Sequence, residues 1–159
     1  MVEPVAERLA MPGYGVAEDG ELLPWSWALE RLTTSHAYWL ATLRAAGSPH
    51  VLPVWAVWHD DALWFSAGTD ARKTRNLTAR PLATATTDDA REPVVVEGAV
   101  ERVTDVDRIA AFVTPYEAKY GESPGLDFFV ANACFRLVPT VAFGLVESAF
   151  LDTPTRWRF

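Results

Sequence analysis

A chain with a single cysteine, Cys134, cannot close an internal disulfide, so burial must hold the fold and a reducing, cytoplasmic interior is the expected setting. Long apolar runs are missing too. Nothing approaches the roughly 20 residues a membrane span requires, and the opening stretch MVEPVAERLAMPGYG has no apolar run behind its charges, which argues against a signal peptide. Positive charge is in short supply, with 14 basic residues against 21 acidic and a net charge of -7. A nucleic-acid partner would want the opposite balance. Lysine is scarcer still, present only as Lys73 and Lys119. No HExxH, GxSxG, Walker-type or GxGxxG pattern occurs. His36, His50 and His59 have no metal-ligand spacing and are read as structural, so no metal is expected. Asp60-Asp61 and Asp88-Asp89 are turn formers first, and no acid-base dyad or other catalytic side chain stands out.

What the chain does have is apolar surface. Half of its 159 residues are hydrophobic and 22% are charged, which predicts one folded domain with a sizeable core. Seven tryptophans exceed the needs of one such core. The surplus points to a subunit interface or a ligand wall.

Turn signals and hydrophobic periodicity set the order of elements. Residues 1–20 read as an arm, and residues 21–159 as the single domain. A short helix begins near Pro24, with Trp25, Leu29 and Leu32 on one stripe. Strands are predicted at 37–44, 51–58 and 62–67, joined by turns at Ala45 to Pro49 and at His59-Asp60-Asp61. A helix over 71–80 follows, then strands at 82–87 and 94–103, the latter with Gly98 as a bend. Asp105 starts a helix to Tyr120, and Gly121 to Asp127 is a loop. Strands at 134–138 and 141–146 flank Pro139, and 155–159 closes the chain. Strands predominate with no βαβ alternation, so the fold class is mainly β with two or three flanking helices, an antiparallel barrel. Both faces of 51–58 are apolar, and one must be covered by a partner subunit or a planar ligand.

The strongest site candidate is the loop and helix from Ser66 to Asn76. Arg72, Lys73 and Arg75 crowd the first turn of a helix, beside the positive end of its dipole, where side-chain charge should be negative. An anion such as a phosphate would resolve that conflict. Ser66, Gly68, Thr69 and Asn76 add donors and close backbone approach at the same point. Either Asp70 or Thr69 could cap the helix, and an Asp70 cap would compete with the anion. At the C-terminus, Arg156-Trp157-Arg158-Phe159 alternates cations and aromatics. As a strand it would place Trp157 on one face and both arginines on the other, where they could meet an anionic ligand.

Three segments in this order, Leu52-Pro53-Val54-Trp55, Ser66 to Leu77 with its Arg-Lys-x-x-Asn-Leu core, and Thr155-Arg156-Trp157-Arg158-Phe159, resemble the flavin-binding split β-barrel proteins related to pyridoxamine 5'-phosphate oxidase. The similarity spans residues 25–159 and is greatest to the actinobacterial branch that uses the deazaflavin coenzyme F420. It implies a homodimer with cofactor sites in grooves at the subunit interface. The tricyclic ring would lie along Pro53 to Val57, including Val54 and Trp55. Thr69, Arg72, Lys73 and Asn76 would hold the phosphate with Ser66 and Ala67 nearby, while Arg156 and Trp157 approach a cofactor, either the chain's own or the partner subunit's. The implied activity is F420-dependent hydride transfer to or from a small conjugated or quinone-like substrate. Groove shape and the 121–127 loop would set specificity. An FMN-dependent oxidase or reductase, and a non-catalytic flavin or haem binder, are the alternatives; no strong axial haem ligand stands out for the last, with His50 the one residue left open to that role. Vitamin B6 oxidation is disfavoured, because the arginine-to-lysine spacing and the C-terminal substrate residues of the oxidases proper are missing.

Overall fold

A computed structural model describes residues 3–121 and 124–159. Its strands are β1 (Val5–Arg8), β2 (Tyr38–Leu43), β3 (Pro49–Val54), β4 (Ala56–His59), β5 (Ala62–Ala67), β6 (Leu82–Thr87), β7 (Val94–Val103), β8 (Ala133–Gly144) and β9 (Thr155–Arg158). The helices are α1 (Trp25–Thr34), α2 (Arg72–Ala79), α3 (Val106–Tyr120) and α4 (Leu126–Ala131). All strand pairs are antiparallel, in the order β1-β9-β8-β7-β6-β2-β3, with β5 joining β4 to β8. One edge of β8 therefore serves two strands, β5 along Ala133 to Leu137 and β9 along Val141 to Gly144. This is the split antiparallel barrel expected.

Four details differ from the expectation. The predicted strand over 51–58 breaks at Trp55, because β3 pairs with β2 while β4 turns away to pair with β5. The pair predicted around Pro139 is one continuous strand, β8. Pro139 is tolerated there because it sits opposite Gly98, at a register shift between Glu97 and Gly98. The arm contributes β1, zipped onto β9. Finally, the end of the predicted 121–127 loop belongs to α4, which begins at Leu126. Residues 122–123 of that loop lie outside the described residues.

Alternation along β5 builds two apolar interiors. Leu63 and Phe65 point into the barrel with Tyr38, Leu40, Phe135 and Trp157. Ala62 and Trp64 point outward against Ile109, Phe112 and Phe129 from α3 and α4. The β4–β5 hairpin is tight enough to force Asp60 and Asp61 to φ of 49° and 54°, the geometry of a two-residue turn matched to strand twist. Asp105 caps α3 by accepting from Arg108 N at 2.9 Å, and Gly121 ends it at φ 72°. Among the described residues, no helix is long and apolar enough to cross a membrane.

Candidate functional site: a cationic helix tip beside an open strand edge

Strand β5 ends at the half-buried Ser66 and Ala67, and the exposed Gly68-Thr69-Asp70 loop turns the chain into α2. The Gly68 carbonyl fixes this turn by accepting from Ala71 N at 3.0 Å and from Thr74 Oγ1 at 2.7 Å. Ala71 is the N-cap, and no side chain caps the helix. Neither Thr69 nor Asp70 fills that role, so the competition foreseen for Asp70 does not arise. Arg72 and Arg75 are exposed and Lys73 is half-buried. None of the three has a carboxylate partner among the described residues.

Asn76 fixes the orientation of this tip. Its amide, 4% exposed, donates to Thr42 Oγ1 of β2 at 2.9 Å. Arg72 and Lys73 lie one turn earlier on the same side of the helix, so the tether directs them toward the ends of β2 and β3. His50, directly opposite Thr42 in the β2–β3 ladder, senses the result. Burial, followed by the charges of Arg44, Lys73 and Arg72, holds its imidazole below the ordinary range. Its Nδ1 is enclosed and has no hydrogen-bond partner among the described residues.

Among the described residues, strand β3 pairs with β2 alone, so its outer edge has no neighbouring strand there. Val51, Leu52, Pro53 and Trp55 are exposed along it, whereas Val54 packs into the barrel core. At the break after β3, the Trp55 indole is half exposed and stacks on Tyr120 at 4.7 Å and 6°. Tyr120 Oη accepts from Ala56 N at 2.9 Å and donates to the His36 carbonyl at 2.8 Å. Lys119 Nζ donates to the Ala56 carbonyl at 2.9 Å and to Tyr38 Oη at 2.7 Å. Burial pushes the Lys119 ammonium down to about 8 and the Tyr120 phenol up to about 12. The end of α3 thus clamps the strand break and presents Trp55 as a flat wall.

A family profile for pyridoxamine 5'-phosphate oxidase matches residues 28–134, the stretch holding α2, β3 and the clamp. The chain belongs to this family. Solved members of the same fold include a conserved hypothetical protein from Mycobacterium tuberculosis, 19% identical with a TM-score of 0.73 over 83% of this chain and 89% of that one. An F420 reductase is 27% identical with a TM-score of 0.59 over 71% of this chain and 93% of its own. A heme binding protein from Mycobacterium smegmatis is 17% identical with a TM-score of 0.61, covering 82% of this chain and 62% of that one. No curated protein matches the chain.

Of the expected site residues, Trp157, Asn76 and Val54 are buried within the fold and Arg156 is paired at the β1–β9 edge. Trp157 is fully buried, donates Nε1–H to the Leu23 carbonyl at 3.2 Å and packs against Trp25 and Trp27. It cannot reach a ligand without unpacking the barrel. Asn76 is committed to Thr42, and the Val54 side chain is core, leaving only its main chain near the β3 edge. Arg156, on the opposite face from Trp157 as expected, is bonded at 2.5 Å to Glu7, which also holds Arg158. In the strand order β8, β7, β6 and β2 separate β9 from β3. Pro53, Trp55, Ser66, Ala67, Thr69, Arg72 and Lys73 remain together around the α2 tip and the β3–β4 strands. Sequence reasoning passed over Arg44, Lys119 and Tyr120. The lone second lysine, at the C-terminal turn of an amphipathic helix, was the available clue to the clamp.

Proposed function

We propose that this protein is an F420-dependent oxidoreductase, acting as a homodimer on a small conjugated or quinone-like substrate. The observation that carries this reading is an uncapped helix tip with Arg72 and Lys73, unpaired with any carboxylate, beside an apolar strand edge that lacks a neighbour. The residues present fit such a group. Cations with forked and point-charge donors suit phosphate oxygens, the free main chain of β3 suits the polar rim of a ring, and Trp55 offers it a flat wall. When bound, the deazaflavin supplies the hydride chemistry. The protein's own contribution is to grip the anionic tail, orient the ring along Pro53 to Trp55 and exclude water. No side chain is assigned as an acid or base.

A second copy of the chain is the proposed cover for the open face. Trp39, Ala41 and Leu43 of β2 lie opposite Pro53, Val51 and Pro49 of β3. Of these, Ala41, Leu43 and Pro49 line, together with Leu82 and Ala99, a shallow groove of about 400 Å³. FMN is the competing cofactor, and the fold's haem-binding neighbours make haem the third ligand to test. Titration of purified protein with F420, FMN and haemin, followed by fluorescence and absorbance, discriminates among them. Tight F420 binding with subsequent anaerobic turnover supports the proposal. Preference for FMN, or haem uptake without turnover of reduced cofactor, overturns it.

A further inference from the structure

We infer that Lys119 is the charged end of a second ligand site: the cavity it lines between α1, β4 and α3 takes a small apolar carboxylate, whose charge pairs with the Lys119 ammonium. The site is separate from the α2 tip and does not rest on the cofactor reading.

The cavity, about 300 Å³, is lined by Thr33, Val57, Trp58, Pro115, Ala118 and Lys119. That volume is at the lower end of ligand pockets and suits a ring-sized acid. Thr33 has already given its hydroxyl proton to the Leu29 carbonyl at 2.7 Å, so Lys119 alone brings charge. An ammonium carries three donors. Two are spent on neutral acceptors, the Ala56 carbonyl at 2.9 Å and Tyr38 Oη at 2.7 Å, and the third has no partner among the described residues. No carboxylate among them pairs with Lys119 either. The rings of Tyr38 and Tyr120, centred 4.7 and 5.4 Å from Nζ, attract the cation without neutralising it. A half-buried charge in this state is held at a cost that a counter-ion would remove. Val57, Trp58 and Pro115 wall the space beside it and suit the apolar body of an acid.

The titratable groups acting on the ammonium are Tyr38 from β2, Tyr120 from α3 and Asp88 from the loop after β6. Burial keeps both phenols protonated. Asp88 favours the charged ammonium, but burial outweighs it and holds Lys119 down to about 8; Asp88 is itself engaged by Ser35 Oγ at 2.7 Å and Ala37 N at 3.4 Å. A carboxylate in the cavity would raise the proton affinity of Lys119, and by linkage its own binding draws on that proton.

The test titrates the full chain with benzoate, using benzyl alcohol (the ring without the charge) and acetate (the charge without the ring) as controls, followed by amide NMR. Benzoate is expected to bind about tenfold or more tightly than either control and to perturb the Val57, Trp58 and Ala118 amides. Its affinity should fall about tenfold or more between about pH 7 and about pH 9.5, as the ammonium loses its proton while benzoate stays ionised. K119Q, which keeps donors without the charge, should lose the preference for benzoate over benzyl alcohol. A118D, which adds a negative charge at the exposed rim and leaves the bonds of Lys119 alone, should weaken benzoate about threefold or more. Equal binding of benzoate and benzyl alcohol, or an affinity indifferent to pH and to K119Q, overturns the inference. So does benzoate that perturbs the Arg72 and Lys73 amides in place of those around the cavity, a result that would leave the anion site at the α2 tip standing.

Discussion

Asn76 of α2 and Thr42 of β2 are joined by a buried hydrogen bond of 2.9 Å, the side-chain bond that ties the cationic helix to the barrel wall. Removing either partner leaves a buried polar group unsatisfied. Asn76→Ala and Thr42→Val should each lower stability to chemical denaturation by about 1–3 kcal/mol. The double variant should lose less than the sum, since the two losses share one bond. Strict additivity would mean that the contact does not couple them.

The tip itself should behave in the opposite way. Arg72→Ala combined with Lys73→Ala removes two exposed or half-exposed cations from the positive end of a helix, so stability should hold or rise slightly. Cofactor affinity, measured by fluorescence titration, should fall by about 2 kcal/mol or more, because each cation offers a charge-assisted bond to an anion. An unchanged dissociation constant would remove the phosphate assignment.

Gly98 faces Val138 across the bulge that admits Pro139. A β-carbon added there would stand 1.9 Å from the Val138 carbonyl oxygen and 3.0 Å from Pro139 Cα. Main chain cannot yield as a flexible side chain does. Gly98→Ala should therefore cost about 3 kcal/mol or more in equilibrium unfolding, or prevent folding.

Val51 is half exposed at the centre of the open β2–β3 face, opposite Ala41. If a second copy covers this face, Val51→Glu would bury a charge at the interface and should shift sedimentation toward monomer, with cofactor affinity falling alongside. A monomeric wild-type protein at micromolar concentration would exclude the dimer.

Lys119 gives a pH signature. Its ammonium is held down to about 8 from an ordinary 10.5. Between those values the unfolded chain keeps the proton that the folded chain sheds, so stability should rise with pH across the window. Above about 10 the trend should reverse, since burial keeps the Tyr38 and Tyr120 phenols protonated while unfolded tyrosines ionise. Lys119→Met should abolish the rise, which solvent screening of a half-exposed side chain limits to the order of 1 kcal/mol. Urea unfolding between about pH 8 and pH 10 measures it.

Local patterns made most elements legible. Turn signals bounded β2 and β5, Asp105 marked the start of α3, and paired aspartates marked the β4–β5 turn. What escaped were features set by partners distant in the chain. Trp55 breaks a continuous apolar run because β4 finds β5 rather than β2, and β8 passes through Pro139 because Gly98 lies across from it. The site followed the same rule. Cations at one helix start could be read directly, whereas the burial of Asn76 and Trp157, whose residue types also suit ligands, is set by contacts distant in the chain. Arg44 and His50 join the α2 tip only through the β2–β3 ladder, and no spacing in the chain announces that.

Strand β5 is a party wall. Leu63 and Phe65 belong to the barrel and Ala62 and Trp64 to the helical layer, so neither compartment can be loosened without stripping one side of the other's boundary. The segment that leaves this wall is the loop into α2. The helix tip is therefore mounted on a partition shared by both interiors, and an anion held there would be referenced to both at once.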